Sequence, residues 1–255
     1  MVRHISNMVS AALLAGGAFT LGACSAASSS YGGFDGVPLA ELDTGTANIS
    51  ALGLSGIDTV VITEGPALDI AVENDHDDAV RFRLDGSSLE IGREPGNWSS
   101  GDAAIIRVTM PAPSALDMSG TGRIETAAMA PDASISMSGS GTMQVASFGA
   151  ETLDVEMSGA GKLSGWGTAK VLDLSLSGSS DVDFGSLVAD TASIAVSGAG
   201  TVILEARERV AANVSGSGDV RITGTAQCVV STSGSGKVSC PSANASATTT
   251  GAATN

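Results

Sequence analysis

Between residues 118 and 240 one short phrase, Ser-Gly-small-Gly, returns seven times, and that recurrence leaves few folds open. Its serines are Ser119, Ser138, Ser158, Ser177, Ser197, Ser215 and Ser233, separated by 19, 20, 19, 20, 18 and 18 residues. A fixed period of this length marks one supersecondary unit per repeat. Alternating apolar runs enter and leave each phrase, as Leu172, Leu174 and Leu176 before Ser177 and Val182 and Phe184 after it. Alternation with period 2 is strand grammar. The other copies agree: Leu153, Val155 and Met157 enter Ser158, and Val220 and Ile222 follow Ser215.

Between the strands the chain must turn sharply where like turns stack on one another. Glycine adopts positive φ without a Cβ to clash. Gly120, Gly139, Gly159, Gly178, Gly198, Gly216 and Gly234 are therefore expected as one column along an edge. A second glycine follows two residues later in six copies and is Ser180 in the fourth. A unit with two short strands cannot bury its apolar face alone, so neighbours must stack. The expectation is an all-β solenoid with coils of 18–20 residues.

Charge narrows the partners. The chain carries 12 Lys and Arg against 27 Asp and Glu, a net charge of −15. That balance argues against nucleic acid and against electrostatic docking on anionic lipid. Aromatics make up 3% of residues, which suits a thin core of Val, Ile, Leu, Met and Ala.

Residues 1–23 have the grammar of an export signal: Arg3, then an apolar run from Met8 to Leu21 that is too short to span a membrane. Leu21-Gly22-Ala23-Cys24 resembles the bacterial lipobox, in which the cysteine becomes the lipidated N-terminus. With Ser25 after it, that resemblance implies an outer-membrane address. Residues 24–47, small and glycine-rich, read as a flexible tether. Once Cys24 is spent on lipid, Cys228 and Cys240 remain as an even pair in an oxidising compartment, flanking the last Ser-Gly turn. A disulfide between them is expected; a metal or redox pair would need further ligands or a CxxC spacing.

Upstream of the repeats, alternating runs at Val60–Ile62, Leu68–Val72, Val80–Leu84, Leu89–Ile91 and Ile106–Met110 predict an N-terminal β region. Gly65-Pro66, the acidic run 73–78 and Asp85-Gly86 separate them. These strands would cap the solenoid or form irregular early coils. Residues 241–255 lack any large apolar side chain and read as a disordered tail.

Several of these stretches together carry a family resemblance. Asp58-Thr-Val-Val-Ile-Thr-Glu-Gly65, Leu89-Glu-Ile91, Arg107-Val-Thr-Met-Pro111 and the Ser-Gly ladder, complete at Ser215-Gly-Ser-Gly-Asp-Val220, are similar to the head GIN domain family of auto-transporter adhesins. The resemblance spans residues 48–240. It implies a right-handed parallel β-helix-like fold and an envelope address, and it brings no catalytic residues. Only Asp181 and Asp219 keep the family's turn aspartate.

The residues themselves offer little chemistry. His76 is the single histidine beyond the signal, and it sits among Glu73, Asp75, Asp77 and Asp78. A hard cation favours several carboxylates on one loop, but this run lacks EF-hand spacing and reads as a solvated turn. Asp154, Glu156, Asp173, Asp181 and Asp183 are the candidate acids for a carbohydrate-acting β-helix enzyme. No Lys or Arg clusters with them, and a solvated strand face needs outward polar residues in any case. Asn-x-Ser triplets at Asn48, Asn97, Asn213 and Asn244 carry no meaning behind a lipobox. The expected protein is a non-catalytic envelope lipoprotein without a cofactor or metal, membrane-held through Cys24, presenting its solenoid to a glycan or an envelope protein. A periplasmic scaffold is the alternative.

Overall fold

The computed structural model describes residues 34–45, 48–96, 98–241 and 245–249, with backbone alone at 100 and 245–249. The signal segment 1–23, Cys24 and Asn97 fall outside the described residues. The described part belongs to one unit running from Gly33 to the C-terminus.

Among the described residues, seventeen strands share one sheet that winds around a single core. The regular coils begin with β7 (Ala115–Gly120), β8 (Arg123–Thr126) and β9 (Asp132–Gly139). They continue through four long strands that bend around the coil: β10 (Thr142–Gly159), β11 (Lys162–Gly178), β12 (Asp181–Gly198) and β13 (Thr201–Gly216). The series ends with β14 (Asp219–Gly224), β15 (Gln227–Gly234), β16 (Lys237–Ser239) and β17 (Ala245–Thr249). Every pairing among these is parallel, and the register joins like residues: Ser138 to Ser158, Ser158 to Ser177, Ser177 to Ser197, Ser197 to Ser215. The fold is the all-β solenoid that the period requires, and the described residues contain 3-10 turns but no α-helix.

Alternation decides which side faces in. Leu116, Ile135, Val155, Leu174, Ile194 and Ala212 form one fully buried column, and Met118, Met137, Met157, Leu176, Val196 and Val214 a second. Where the chain leaves one face, the edge-to-face pair Phe148–Phe184, with centroids 5.7 Å apart, fills the corner. The turns are tied as tightly as the strands. Each turn glycine's carbonyl accepts the N–H of the residue after the next coil's glycine, as Ser179 N to Gly159 O at 2.7 Å. Gly120 has φ 116°, and a Cβ there would lie 2.5 Å from the Gly56 oxygen.

The N-terminal region is threaded out of order. β1 (Ala51–Gly56) and β2 (Thr59–Glu64) make one coil; the chain then runs through β3 (Asp69–Glu73), β4 (Val80–Asp85), β5 (Ser88–Arg93) and β6 (Ile105–Met110). β5 and β6 stack in parallel on the outer side of β1 and β2, while β7 and β8 stack on their inner side. The β1–β2 coil is thus sandwiched between coils that follow it in sequence. β4 closes a hairpin on β5, turning at Gly86 with φ 63°, and β3 runs antiparallel to β6. These two antiparallel strands finish the N-terminal end, so the region both continues the solenoid and caps it.

Two stretches read from composition are more ordered than expected. Residues 34–45, assigned above to the tether, pack onto the cap: Val37 exchanges both backbone hydrogen bonds with Phe82, at 2.9 and 2.8 Å. Phe34 covers Gly92 and lies 5.0 Å from the Arg83 guanidinium carbon, while Leu39 and Leu42 are partly buried. At the other end, β17 pairs in parallel with β15 inside the segment read as a tail. The cause is the same in both cases, since an open strand edge offers unpaired N–H and C=O groups to any extended chain, whatever its side chains.

Candidate functional site: a serine-lined groove

The outward positions of the strands that lead into the turns form parallel columns, two of which frame a groove. The outermost is the repeat serine itself, exposed in each of the seven copies. The column begins one coil earlier than the repeat suggests, because Ser55 and Gly56 stand in register with Ser119 and Gly120, and Ser55 Oγ lies 3.0 Å from Ser119 Oγ. Ser55-Gly56 escapes the phrase because Ile57 and Asp58 replace both its small residue and its second glycine.

The next column runs Asp117, Ser136, Glu156, Ser175, Ala195, Asn213 and Ser231. Between it and the serine column the strand backbone at Met137, Met157, Leu176, Val196 and Val214 forms a floor, since those side chains point inward. The result is an open groove of ≈ 600 Å³ crossing six coils, in which Glu156 is the single charged lining residue. A second hollow of ≈ 370 Å³, lined by Ser134, Asp154, Glu156 and Asp173 among others, adjoins it.

The groove gathers some of the candidate acids and separates others. Asp154 and Asp173 are direct register partners, and Glu156 sits two residues beyond Asp154 on the same face. Asp181 and Asp183 follow the turn and lie on a different face, where Lys162 and Ser164 are their partners. One further acid escaped the sequence reading. Asp117 is in register with Gly53, which in turn pairs with Glu90, so two carboxylates flank a residue with no side chain. Burial first, and the Glu90 charge second, push the Asp117 carboxyl above its usual range, with a hydrogen bond from Ser136 opposing them.

Beside the turn column lies a buried charge pair that no motif announced. Asp58 and Ser180 are the two residues that replace the second glycine of a turn, and both are buried. The Asp58 carboxylate accepts from Arg93 Nε and Nη2 and from the Ala104 backbone N–H, at 2.6–3.1 Å. Trp98 lies 4.9 Å over the Arg93 guanidinium. Burial works against the Arg93 charge, yet the Asp58 carboxylate holds its pKa above the ordinary value. Ser180 Oγ is buried with no partner.

The remaining expected sites are placed as follows. Cys228 in β15 and Cys240 just after β16 are bonded, with Cα atoms 6.5 Å apart. The seven turn glycines have φ between 109° and 127°. In the acidic run, Asp75 caps Ala79 N and Val80 N, and Glu73 pairs with Arg107 at 2.8 Å. Those contacts account for its first two acids as structural groups, and no His, Cys, Asp and Glu cluster suited to a metal occurs among the described residues.

Comparison with known proteins agrees with this architecture. A "putative adhesin" from Bacteroides fragilis superposes with a TM-score of 0.69 at 17% identity, over 76% of this chain and 93% of that one. A "putative lipid binding protein" from Parabacteroides distasonis gives 0.60 at 16% identity over 76% and 93%. A "putative adhesin" from the same species gives 0.55 at 19% over 76% and 92%. No curated protein matches the sequence. Residues 48–226 match the family described as "Putative auto-transporter adhesin, head GIN domain", and the chain, most of whose length the match covers, belongs to that family.

Proposed function

We propose that the protein is a non-catalytic lipoprotein of the outer membrane, held through lipid on Cys24, whose solenoid captures a ligand in adhesion. The observation that carries this reading is the groove: hydroxyls and small side chains repeat at the coil spacing over a rigid backbone floor. Such a face offers many weak, regularly spaced hydrogen bonds to an extended partner, a glycan chain or an envelope protein. The scarcity of charge within it supports holding over turning over. General acid catalysis in glycoside hydrolysis needs two carboxylates with different environments, whereas Asp154 and Asp173 share one environment and Asp181 and Asp183 lie elsewhere.

Protease accessibility on intact and permeabilised cells tests the address, with Cys24→Ala as the control. Digestion on intact cells supports surface adhesion. Protection until permeabilisation would instead favour the periplasmic scaffold. Retention of the purified chain on isolated envelope material tests the binding itself, and a chain that stays unbound sinks the adhesive reading.

A further inference from the structure

Trp166 is 46% exposed, an unusual position for the largest apolar side chain in a protein so poor in aromatics. It stands at a corner of β11 where both neighbouring coils carry an extra residue. On one side the register passes from Val145–Gly165 to Phe148–Gly167, so Ala146 and Ser147 together oppose Trp166 alone. On the other it passes from Ser164–Asp183 to Trp166–Ser186, leaving Phe184 and Gly185 opposite Gly165. Bulges of this kind re-aim a side chain and concentrate beside functional sites.

The glycines on either side of Trp166 are packed against the core. Gly165 packs beneath the Phe148 ring, and Gly167, with φ 124°, sits against the Phe148 backbone. Neither neighbour in sequence carries a side chain. Ser186 is the register partner of Trp166 on one neighbouring strand and Ser147 lies in the bulge opposite it on the other, both exposed, while Asp183, also exposed and partnered with Ser164, accepts the Gly185 N–H at 3.1 Å.

The geometry points to Trp166 as a stacking platform for a neutral pyranose ring of a glycan. This deepens the adhesive reading above and rests on it. A pyranose presents one apolar C–H face of about the area of an indole, edged by hydroxyls. Here a single exposed aromatic side chain has hydroxyl-bearing residues at the facing positions of both neighbouring strands, with Asp183 three residues before Ser186. A protein partner would call for a contiguous apolar centre. The other large apolar side chains exposed among the described residues are Val37, Val171 and Val229; Val171 lies past the corner, in register with Thr152 and Thr191, and Val229 on the strands leading into the turns. A lipid surface would call for a row of apolar anchors with basic residues, and the net charge of −15 opposes it. The same charge selects neutral over anionic sugars.

The test uses the full chain, kept soluble in a polyoxyethylene detergent, in native gels containing laminarin, mannan or galactomannan, with alginate as the anionic contrast. At least one neutral polysaccharide is expected to retard the chain and change its tryptophan emission. Trp166→Ala should weaken that retardation at least tenfold and abolish the emission change, leaving only Trp98 to fluoresce; Trp166→Phe should keep part of the binding. Thermal melts that match the wild type show that the substitution leaves the fold intact. Retardation of Trp166→Ala equal to wild type, or of neither protein by any neutral polysaccharide, overturns the proposal. Envelope material separates the two readings: a wild type that binds envelope but no neutral glycan loses this inference and keeps the adhesive function, whereas one that binds neither loses both.

Discussion

Asp58 and Arg93, 35 residues apart, form a bidentate ion pair in which the carboxylate is fully buried and the guanidinium carries Trp98 on its face. The pair joins the turn of the β1–β2 coil to the end of β5 and, through Arg93 Nη2 to Asp102 O at 2.6 Å, to the loop before β6. It therefore fastens the displaced coil to the cap. Removing one partner of a buried pair strands the other charge, so Asp58→Ala is expected to cost about 3–5 kcal/mol. The urea midpoint reads this directly. Asp58→Leu combined with Arg93→Met should recover more than half of the loss, and a double variant as unstable as the single one would argue that the pair is not the fastening.

The turn column makes a sharper contrast between glycines. Gly159 has φ 113°, and a Cβ there would be driven into the Gly139 carbonyl. Gly159→Ala should destabilise by at least about 2 kcal/mol. Gly149, exposed with nothing within 4 Å of an added Cβ, should accept alanine within about 0.5 kcal/mol. Equal melting temperatures for the two variants would show that the column does not constrain the fold.

Ser180 is the opposite case, a natural side chain that the core does not use. Its hydroxyl is buried without a partner, and such a group costs about 1–3 kcal/mol of lost hydration. Ser180→Ala keeps the Cβ and removes the hydroxyl, so a gain of about 1 kcal/mol is expected. Calorimetry should show a higher Tm; a lower one would mean that the hydroxyl is satisfied in solution.

The Cys228–Cys240 bond closes a short loop around the final turn. Cys228→Ser with Cys240→Ser should lower stability by about 3 kcal/mol on the chain-entropy view. Protease cuts should appear first after β14, and a reductant should affect the wild type but leave the variant unchanged.

Asp117 gives stability a pH dependence. Its folded pKa is raised, so the ionised form is the disfavoured one. Stability from this residue is complete below the unfolded carboxylate pKa and is lost as pH rises through the folded value. Asp117→Asn should therefore stabilise the protein at pH 7 by about 0.3 kcal/mol, a small figure because water screens a partly exposed group. The difference should vanish in acid, and a difference that grew as pH fell would reverse the assignment.

The period of the Ser-Gly phrase was enough to specify coil length, inward faces and the turn column, because each depends on residues close in sequence. The displaced β1–β2 coil was not legible. Its place depends on register between Leu52 and Leu116, carried by backbone hydrogen bonds across 64 residues, and backbone groups are the same in every residue. Asp58 and Arg93, 35 residues apart, carry no local pattern that pairs them, and only folding brings them together. Residues 34–45 and β17 were hidden for a related reason, since pairing along an open edge asks almost nothing of composition. The groove was largely legible, since alternation placed its serines outward, while the carboxylate pair Asp117 and Glu90, one coil beyond its lining, needed the out-of-order coil.

The register of like upon like makes reach a countable property of this protein. Each coil advances the stack by one strand spacing, about 4.8 Å, and the glycine turns let one coil rest on the next through the same hydrogen bond. An in-frame duplication of 19 or 20 codons would add one rung and move the two ends apart by one step, leaving the cap, the ion pair and the closing disulfide as they are. Descendants of such a chain can thus be tuned for distance by copying alone, with no new contact to invent.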